Sequence, residues 1–250
     1  MEEGIRPDGR PLGKARGTSI TPGVVTTADS SALVKLGHTT ALAGVKLEVF
    51  IPTDAAPDQG RLVVAVEAPP LCHPDVRPGA PPELALLATE HVTQCLAAAG
   101  AVDLGDLCIE PRRAAWVAYL DIYLLDADGG TQDAALLAAV AALRGLRLPA
   151  VQVDATGNVV REEGGAGGGR GLAVRDVPVS VTCGVFRGRV LVDLSAEEEE
   201  VAEAAATCCV DRAGRVVRFV KPGGAPLDLV TASAVAEVAR ARQREVAGML

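Results

Sequence analysis

The carboxylate side chains of this sequence concentrate in one stretch, where they could act in acid–base or metal chemistry. Asp193 is followed by four successive glutamates, Glu197–Glu200, which is a pattern that a metal-binding acid cluster can show. Ser195 and Glu198, however, have the spacing of a capping box, in which two side chains satisfy free amides at a helix start. Acidic residues in a first helical turn are also stabilised by the helix dipole. We therefore favour a short helix after Ser195 over a metal site.

The histidines and the turn aspartates give weaker signals. The three histidines are too scattered to form a ligand set: His38, His73 and His91. Cys72 and His73 could act as a nucleophile and a base, but adjacent residues rarely point at one another. Asp126 and Asp128 are typical of a turn before two glycines. That turn lacks the Gly-Lys-Ser/Thr ending of a phosphate-binding P-loop, so we predict neither a metal nor a cofactor.

Six cysteines occur without any C-x-x-C pair, at Cys72, Cys95, Cys108, Cys183, Cys208 and Cys209. All but Cys72 stand among apolar neighbours in the sequence. This pattern favours buried free thiols in a reducing compartment over disulfides or a zinc site.

Basic residues form four local groups: Arg6, Arg10, Lys14 and Arg16; Arg112 and Arg113; Arg187 and Arg189; Arg240, Arg242 and Arg244. Each group could contact a phosphate backbone. Solvated faces, or ion pairs with acidic partners, are the commoner roles of such groups and are favoured here. Because the chain has only six Phe, Tyr and Trp residues, it offers no stacking platform for single-stranded nucleic acid. We assign no RNA-binding residue.

The overall composition argues against a nucleic-acid binder that acts alone. The 250 residues carry a formal charge of −8, whereas isolated nucleic-acid binders usually have a basic surface. Hydrophobic residues make up 49% but aromatic ones only 2%, so the core must consist of Val, Leu and Ala and gains less from burial. This composition hints at support from neighbouring subunits. A polar N-terminus and the lack of a long apolar run predict a soluble intracellular protein without a membrane span.

The hydrophobic patterning predicts an α+β chain. Strands are expected at Gly17–Thr27, Ser31–Leu36, Thr39–Phe50, Arg61–Glu67, Ala114–Leu125, Val151–Asp154, Leu172–Val174, Val177–Val185, Val190–Leu194, Cys208–Val210 and Val216–Val220. Ala114–Leu125 is apolar on both faces, so we expect it to be central and covered on both sides.

Four helices are expected between these strands. The first covers Pro82–Ala99, with Leu84, Leu87, Ala88, His91, Cys95 and Leu96 on one face. The second is capped by Thr131 and ends near Leu143–Gly145, the third follows Ser195, and the last runs from about Asp228 to Met249. Gly164–Gly171 has six glycines in eight residues and is predicted to be a flexible loop.

Several segments together resemble the RNase PH family, especially the non-catalytic ring subunits of the eukaryotic RNA exosome. They follow the family order along almost the whole chain: Arg6–Arg10, Asp29–Thr40, Pro69–Cys72, Leu107–Ile109, Trp116–Ala135 with its Asp-Gly-Gly-Thr-Gln-Asp-Ala run, Val192–Glu199 and Lys221–Gly224. The resemblance implies an RNase PH-like (ribosomal protein S5 domain 2-like) fold with two βαβα-type halves and mixed sheets. We expect a single domain, 1–250, with approximate halves at 17–145 and 150–249.

The resemblance also implies a function and partners. The chain would be a structural subunit of a six-membered ring around an RNA channel, supporting 3′–5′ RNA processing and degradation. Its partners would be other RNase PH-like ring subunits, S1/KH-type cap proteins, an associated exoribonuclease and single-stranded RNA in the shared channel. Such a subunit would be found in the nucleus, including the nucleolus, and in the cytoplasm.

The residues at the family's active-site positions depart from the active pattern. Active members hold phosphate with two arginines, and the matching positions here are Ala80 and Gln132. Their aspartates at six-residue intervals correspond here to Asp193, Glu199 and Ala205. Alanine and glutamine supply no positive charge, and glutamate is one methylene longer than aspartate. We therefore expect no enzyme activity.

Two other functions remain open from the sequence. One is an active phosphate-dependent 3′–5′ exoribonuclease whose site has drifted. The other is an acidic protein-interaction module that has reused the fold without a role in RNA metabolism.

Overall fold

A six-stranded mixed sheet forms the first layer of the molecule. In this computed structural model, residues 6–154, 158–161 and 169–250 are described. The sheet consists of β1 (Thr18–Pro22), β2 (Ser30–Leu36), β3 (Thr39–Phe50), β4 (Arg61–Glu67), β5 (Cys108–Glu110) and β6 (Ala114–Asp126). Their order is β1-β2-β3-β6-β4, with β5 added to β6. β4 runs parallel to β6 and the other pairs are antiparallel, so the predicted mixed sheet is confirmed.

The predicted hairpin between β2 and β3 is confirmed, and its turn contains Gly37 at a positive φ of 60°. The first predicted strand, Gly17–Thr27, is too long. It ends at Pro22 because Gly23 turns the chain at a φ of 72° and donates its N–H to the carbonyl of Ser31.

Strand β6 is central, as predicted, but it is covered on both faces only along its first part. Its first five residues are all buried, whereas the later residues alternate and leave Tyr123 and Leu125 exposed. The expectation of complete cover is therefore wrong for the end of the strand. There the outer side chains of the sheet reach solvent while Ile122 and Leu124 stay in the core.

The second half of the chain forms a four-stranded antiparallel sheet and two small pairs. The small pairs are β7 (Arg147–Leu148) with β10 (Arg170–Gly171), and β8 (Val151–Val153) with β9 (Val159–Arg161). The larger sheet has the order β12-β11-β13-β14, from β11 (Val179–Phe186), β12 (Arg189–Val192), β13 (Ala204–Val210) and β14 (Val216–Val220). The strand predicted at Leu172–Val174 is wrong: only Val174 makes an isolated bridge, to Val102.

Helices fill the space between the two sheets and cover the second one. α1 (Glu83–Ala98) and α2 (Thr131–Gly145) pack against each other; α2 contacts β2 and β3 on one side and β11 on the other. α3 (Ala196–Val201) is a single short helix, and α4 (Leu229–Ala247) packs on β11 and β13. The layers are thus sheet, helix pair, sheet and helix. The middle of α2 is buried all round because it lies between two sheets.

Two details of the helices differ from the sequence prediction. Thr131 does not cap α2; it is the first helical residue, and Gly130 occupies the cap position in a left-handed conformation. Leu87 is 41% exposed, since Ala85 and Val92 complete the buried face of α1 in its place. The capping box of Ser195 and Glu198 at α3 is confirmed. Most of the predicted loop Gly164–Gly171 lies outside the described residues.

All six cysteines are free thiols and five of them are buried, as predicted, whereas Cys108 is only half-buried. Cys72, which the sequence sets apart, is buried as well, because its loop folds back and its carbonyl accepts a hydrogen bond from the N–H of Ala127.

Candidate functional site

The N-terminal arm, residues 6–17, fixes the position of the carboxylate at Asp193. Arg16 donates from its backbone N–H to Asp193 Oδ2 at 2.6 Å, from Nε to the same oxygen at 3.0 Å and from Nη2 to Oδ1 at 2.7 Å. The remaining exposure is 6% for Arg16 and 1% for Asp193. Both oxygens of this carboxylate are therefore engaged by one arginine inside the protein.

Asp193 also makes the turn between β12 and α3. Its φ is 55°, in the left-handed region that aspartate tolerates better than most residues. Its carbonyl oxygen accepts from Arg6 Nη2 at 2.7 Å, so the backbone as well as the side chain is held. Burial alone would lower the pKa of Arg16, but the hydrogen bond and charge of Asp193 outweigh it and raise that pKa. Arg16 stays charged and Asp193 stays paired.

A second buried ion pair lies beside the first. Arg6 Nε is 2.7 Å from Glu198 Oε1, and Arg6 Nη2 contacts the other oxygen of the same carboxylate. Burial would raise the pKa of Glu198, but the hydrogen bond from Arg6 and that from the N–H of Ser195 lower it on balance. Since removal of one partner from such a pair leaves a buried charge, each partner is worth about 3–5 kcal/mol by truncation.

Basic residues of the other groups also pair within the chain. Arg240 contacts Glu237 at 2.6 Å, Arg242 contacts Glu245 at 2.8 Å, and Arg113 contacts Glu110 at 2.8 Å. The expectation of ion pairs is confirmed for these residues and for Arg6 and Arg16. Arg6 and Arg16 are buried with their carboxylates, so a phosphate would have to displace a carboxylate to bind either of them.

Carboxylates also surround the N-terminus of α2. The N–H of Gly130 donates to Glu199 Oε1 at 2.9 Å. Asp133, in the first turn, is 7% exposed and accepts from Ser180 Oγ at 2.5 Å and from the N–H of Thr182 at 2.6 Å. Burial raises the pKa of Asp133. Loss of hydration raises the pKa of Glu199 too, against the effect of the Gly130 hydrogen bond.

The structure brings together three of the five positions that the resemblance singled out. Asp193, Glu199 and Gln132 all lie around the Gly129-Gly130 turn: Glu199 is bonded to Gly130, and a Cβ at Gly130 would stand 3.1 Å from Asp193 Oδ1. Gln132 is the second residue of α2.

The other two positions lie apart from this turn. Ala205 is on β13 opposite Gly184. Ala80 lines a cleft of about 320 Å³ formed with Pro69, Pro82 and Arg77, and no residue of the Asp193 cluster lines that cleft.

Sequence reasoning missed Arg16 and Asp133 as parts of this site. A signal for Asp133 was present, because it is the one acidic residue in the Ala/Leu run of α2, where a charge requires partners. No local signal marks Arg16, whose partner is 177 residues away.

A cleft of about 540 Å³ opens between the N-terminal arm and α3. Acidic side chains line it more than basic ones do: Asp8, Asp128, Glu197 and Glu198 face Arg10 and Arg16, beside His38. Within the ranges 6–154, 158–161 and 169–250, no group of three or more His, Cys, Asp and Glu side chains is arranged to hold a metal ion. Among the same residues, no helix has the length and apolar character to span a membrane.

The comparison with known proteins shows the class to which this fold and site belong. Residues 14–149 match the model of domain 1 of the 3′ exoribonuclease family, RNase PH, and residues 176–242 match domain 2. The chain belongs to the RNase PH family. The predicted fold is thereby confirmed, with its mixed sheets and four helices.

The similar proteins are subunits of exosomes. The chain is 38% identical to the exosome complex component Rrp42 of Aeropyrum pernix over 223 residues, which is 89% of this chain and 80% of that protein. It is 37% identical to the Rrp42 of Archaeoglobus fulgidus over 228 residues, covering 91% and 84% respectively.

Solved structures agree with this relationship. A chain of the Archaeoglobus fulgidus exosome with RNA bound to the active site superimposes with a TM-score of 0.87 at 35% identity, covering 99% of this chain and 93% of that one. Rice Rrp46 superimposes with a TM-score of 0.71 at 17% identity, with 97% of each chain covered, which shows the shared fold alone.

Proposed function

We propose that this chain is a catalytically inactive ring subunit of an exosome. The observation that carries the proposal is the engagement of Asp193, at the position of a family catalytic aspartate, by Arg16. A carboxylate whose two oxygens accept three hydrogen bonds from one buried arginine is positioned to support the fold. Neither of its oxygens is free to transfer a proton to or from a leaving oxygen.

Missing phosphate ligands support the same proposal. Phosphorolysis requires cationic donors around a phosphate dianion, and Ala80 and Gln132 supply none. A charge-assisted hydrogen bond contributes about 1.5–3 kcal/mol, so the missing cation at Gln132, beside Asp193, removes about that much and slows phosphorolysis by roughly 10–10². Ala80 lies in another cleft and adds no cation to this one.

At the N-terminus of α2, a carboxylate of the chain takes the hydrogen bond that a bound anion could accept. The Gly130 N–H, which could face a phosphate, donates to Glu199 instead, and Asp133 lies one helical turn further along. While Glu199 accepts this hydrogen bond, the Gly130 N–H is not free to donate to a phosphate. The site therefore favours the scaffold over the drifted exoribonuclease.

The partners follow from the relatives, which are named exosome components. Other RNase PH-like subunits would form the ring with this chain, S1/KH-type cap proteins and an exoribonuclease would dock to it, and single-stranded RNA would pass through the shared channel. The two relatives quoted above are archaeal. The particular resemblance to eukaryotic ring subunits stays a prediction, and so does the location in nucleus, nucleolus and cytoplasm.

The experiment that tests the proposal is co-expression with an RNase PH-like sister subunit, followed by native mass measurement. We expect a ring of defined stoichiometry, and an isolated chain that self-associates or is poorly soluble. A stable monomer that binds no sister subunit would contradict the ring and favour the interaction module.

The proposed lack of catalytic activity is tested by a separate assay. Single-stranded RNA is incubated with the purified chain, with and without phosphate, and nucleoside diphosphates are measured. We expect none above background. Phosphate-dependent release that persists after removal of every sister subunit would overturn the proposed inactivity and support the exoribonuclease.

A further inference from the structure

A small cavity lies between the two halves of the chain. Its volume is about 20 Å³, and a cavity needs roughly 10–15 Å³ to hold one water molecule. Leu36 and Leu137 line it from the first half, and Val179 and Val246 line it from the second. The cavity therefore has room for a single water molecule at the junction of α2, β11 and α4.

Polar side chains that are themselves buried also line this cavity. They are Asp133 on α2, Ser180 on β11 and Arg242 on α4, with exposures of 7%, 5% and 7%. Asp193 lines the cavity as well, but Arg16 already donates three hydrogen bonds to its carboxylate. Since buried water requires about two to four polar partners, whereas apolar cavities stay dry, this lining is that of a water site.

The carboxylate of Asp133 has acceptor positions left over. Oδ1 accepts from Ser180 Oγ at 2.5 Å, and Oδ2 accepts from the N–H of Thr182 at 2.6 Å. Both donors are neutral, whereas an ionised carboxylate offers about four acceptor positions and requires compensation when it is buried. A further donor in the cavity would therefore stabilise the charged form of Asp133.

The guanidinium group of Arg242 has donors left over. Nη1 donates to Glu245 Oε2 at 2.8 Å, and Nη2 donates to Thr18 Oγ1. A guanidinium group has five N–H donors and no acceptor, so it can also donate to an oxygen in the cavity. Water can accept from a guanidinium group while it donates to a carboxylate. A metal cation in the same place would be repelled by the charge of Arg242.

We propose that one ordered water molecule binds in this cavity, accepts a hydrogen bond from Arg242 and donates one to Asp133. Arg242 on α4 and Asp133 on α2 then form a water-mediated ion pair across the junction of the two halves. A bridging water is nearly as favourable in enthalpy as a direct hydrogen bond. The site requires neither RNA nor phosphate nor a sister subunit, so it is independent of the proposed function.

A crystal structure of the full chain, at a resolution that shows ordered water, tests the site directly. We expect one peak within about 2.5–3.2 Å of both a carboxylate oxygen of Asp133 and a guanidinium nitrogen of Arg242. Crystals soaked in rubidium chloride should show no anomalous peak there. A rubidium peak, a cavity without density, a water bound to only one of the two side chains, or a direct contact between them would overturn the proposal.

Relaxation dispersion of water ¹⁷O nuclei, which counts long-lived internal water molecules, tests the site in solution. Arg242→Met keeps a long side chain but removes the donors, so we expect one long-lived water fewer than in the unsubstituted chain. Arg240→Met is the matched control on the same helix, because Arg240 donates to the carbonyl of Gly214 and to Glu237 and does not line the cavity. Its water count should be unchanged.

A second control separates the water from the other contacts of Arg242. Glu245→Gln removes the ion pair of Arg242 but keeps its guanidinium group, so the water count should again be unchanged. Equal counts in Arg242→Met and the unsubstituted chain would contradict the proposal. If Arg242→Met does not fold, the crystal structure of the unsubstituted chain decides alone.

Discussion

Arg16 Nη2 lies 2.7 Å from Asp193 Oδ1, which joins residues 177 positions apart in a contact closed to solvent. The contact fixes the N-terminal arm to the turn between β12 and α3. It also means that Asp193 cannot be substituted without disturbing the fold. A loss of any activity in an Asp193→Ala variant would therefore report damage to the structure and would not identify a catalytic residue.

Arg16→Ala should lower the free energy of unfolding by about 3–5 kcal/mol, because Asp193 is left buried and charged. Urea denaturation measures the change. Arg113→Ala, which removes an exposed pair with Glu110, is the control and should cost less than about 1 kcal/mol. In the double variant Arg16→Ala/Asp193→Ala the loss should be smaller than the sum of the single losses. Equal losses in the Arg16 and Arg113 variants would contradict this account.

Gly130→Ala should destabilise the chain more than Gly188→Ala. Both glycines have positive φ, 61° and 72°, so both substitutions strain the backbone by about 1 kcal/mol. A Cβ at Gly130 would also stand 2.8 Å from Arg16 Nη2, whereas nothing lies within 4 Å of one at Gly188. We expect an additional loss of about 1–3 kcal/mol at Gly130, measured as the difference between the two denaturation curves. Indistinguishable curves would show that Arg16 can move away from a Cβ at Gly130 without cost, and would contradict the prediction.

Acid should weaken the fold through Glu198. Its pKa is lower in the folded chain than its ordinary value of 4.5, so its contribution is complete above pH 4.5 and is lost as the pH falls through the folded value. Glu198→Gln should therefore be less stable than the unsubstituted chain at pH 7 and lose less on acidification. Thermal midpoints between pH 3 and 7 measure this, with the exposed Glu237→Gln as control. An unchanged acid dependence in Glu198→Gln would refute the role of the Arg6 pair.

Gln132→Arg should not restore phosphorolysis. The new guanidinium group would stand near Glu199 at the start of α2 and pair with it, while Ala80 still supplies no second cation. Nucleoside diphosphate release should stay at background, and the unfolding free energy should change by less than about 1 kcal/mol. Measurable release from this single variant would mean that the remaining carboxylates are competent after all.

Local signals in the sequence predicted local structure well. The capping box at Ser195 and Glu198 was readable because its two residues are three positions apart. Strand β4 matched its predicted limits, Arg61–Glu67, since turn-rich segments flank it. The parallel pairing of β4 with β6 was not readable, because strand order depends on how α1 packs and not on the residues of either strand.

The resemblance matched five positions to the family's active site. The structure places Gln132, Asp193 and Glu199 around one turn. Ala80 and Ala205 lie elsewhere. The sequence could not show that Arg16 binds the Asp193 carboxylate, because nothing near Arg16 in the sequence marks a partner in the other half of the chain. Composition favoured ion pairs for the basic groups without naming their partners.

The arm that carries Arg6 and Arg16 is synthesised before the carboxylates that it binds, Glu198 and Asp193. At about 5–20 residues per second, the 177 residues between Arg16 and Asp193 take roughly 9–35 s to synthesise. During that time the arm lacks Asp193 and Glu198, and its guanidinium groups can meet other anions. The arm can therefore complete these contacts only after Asp193 and Glu198 have been made, so a product truncated before Asp193 would expose a basic segment that the full chain keeps covered.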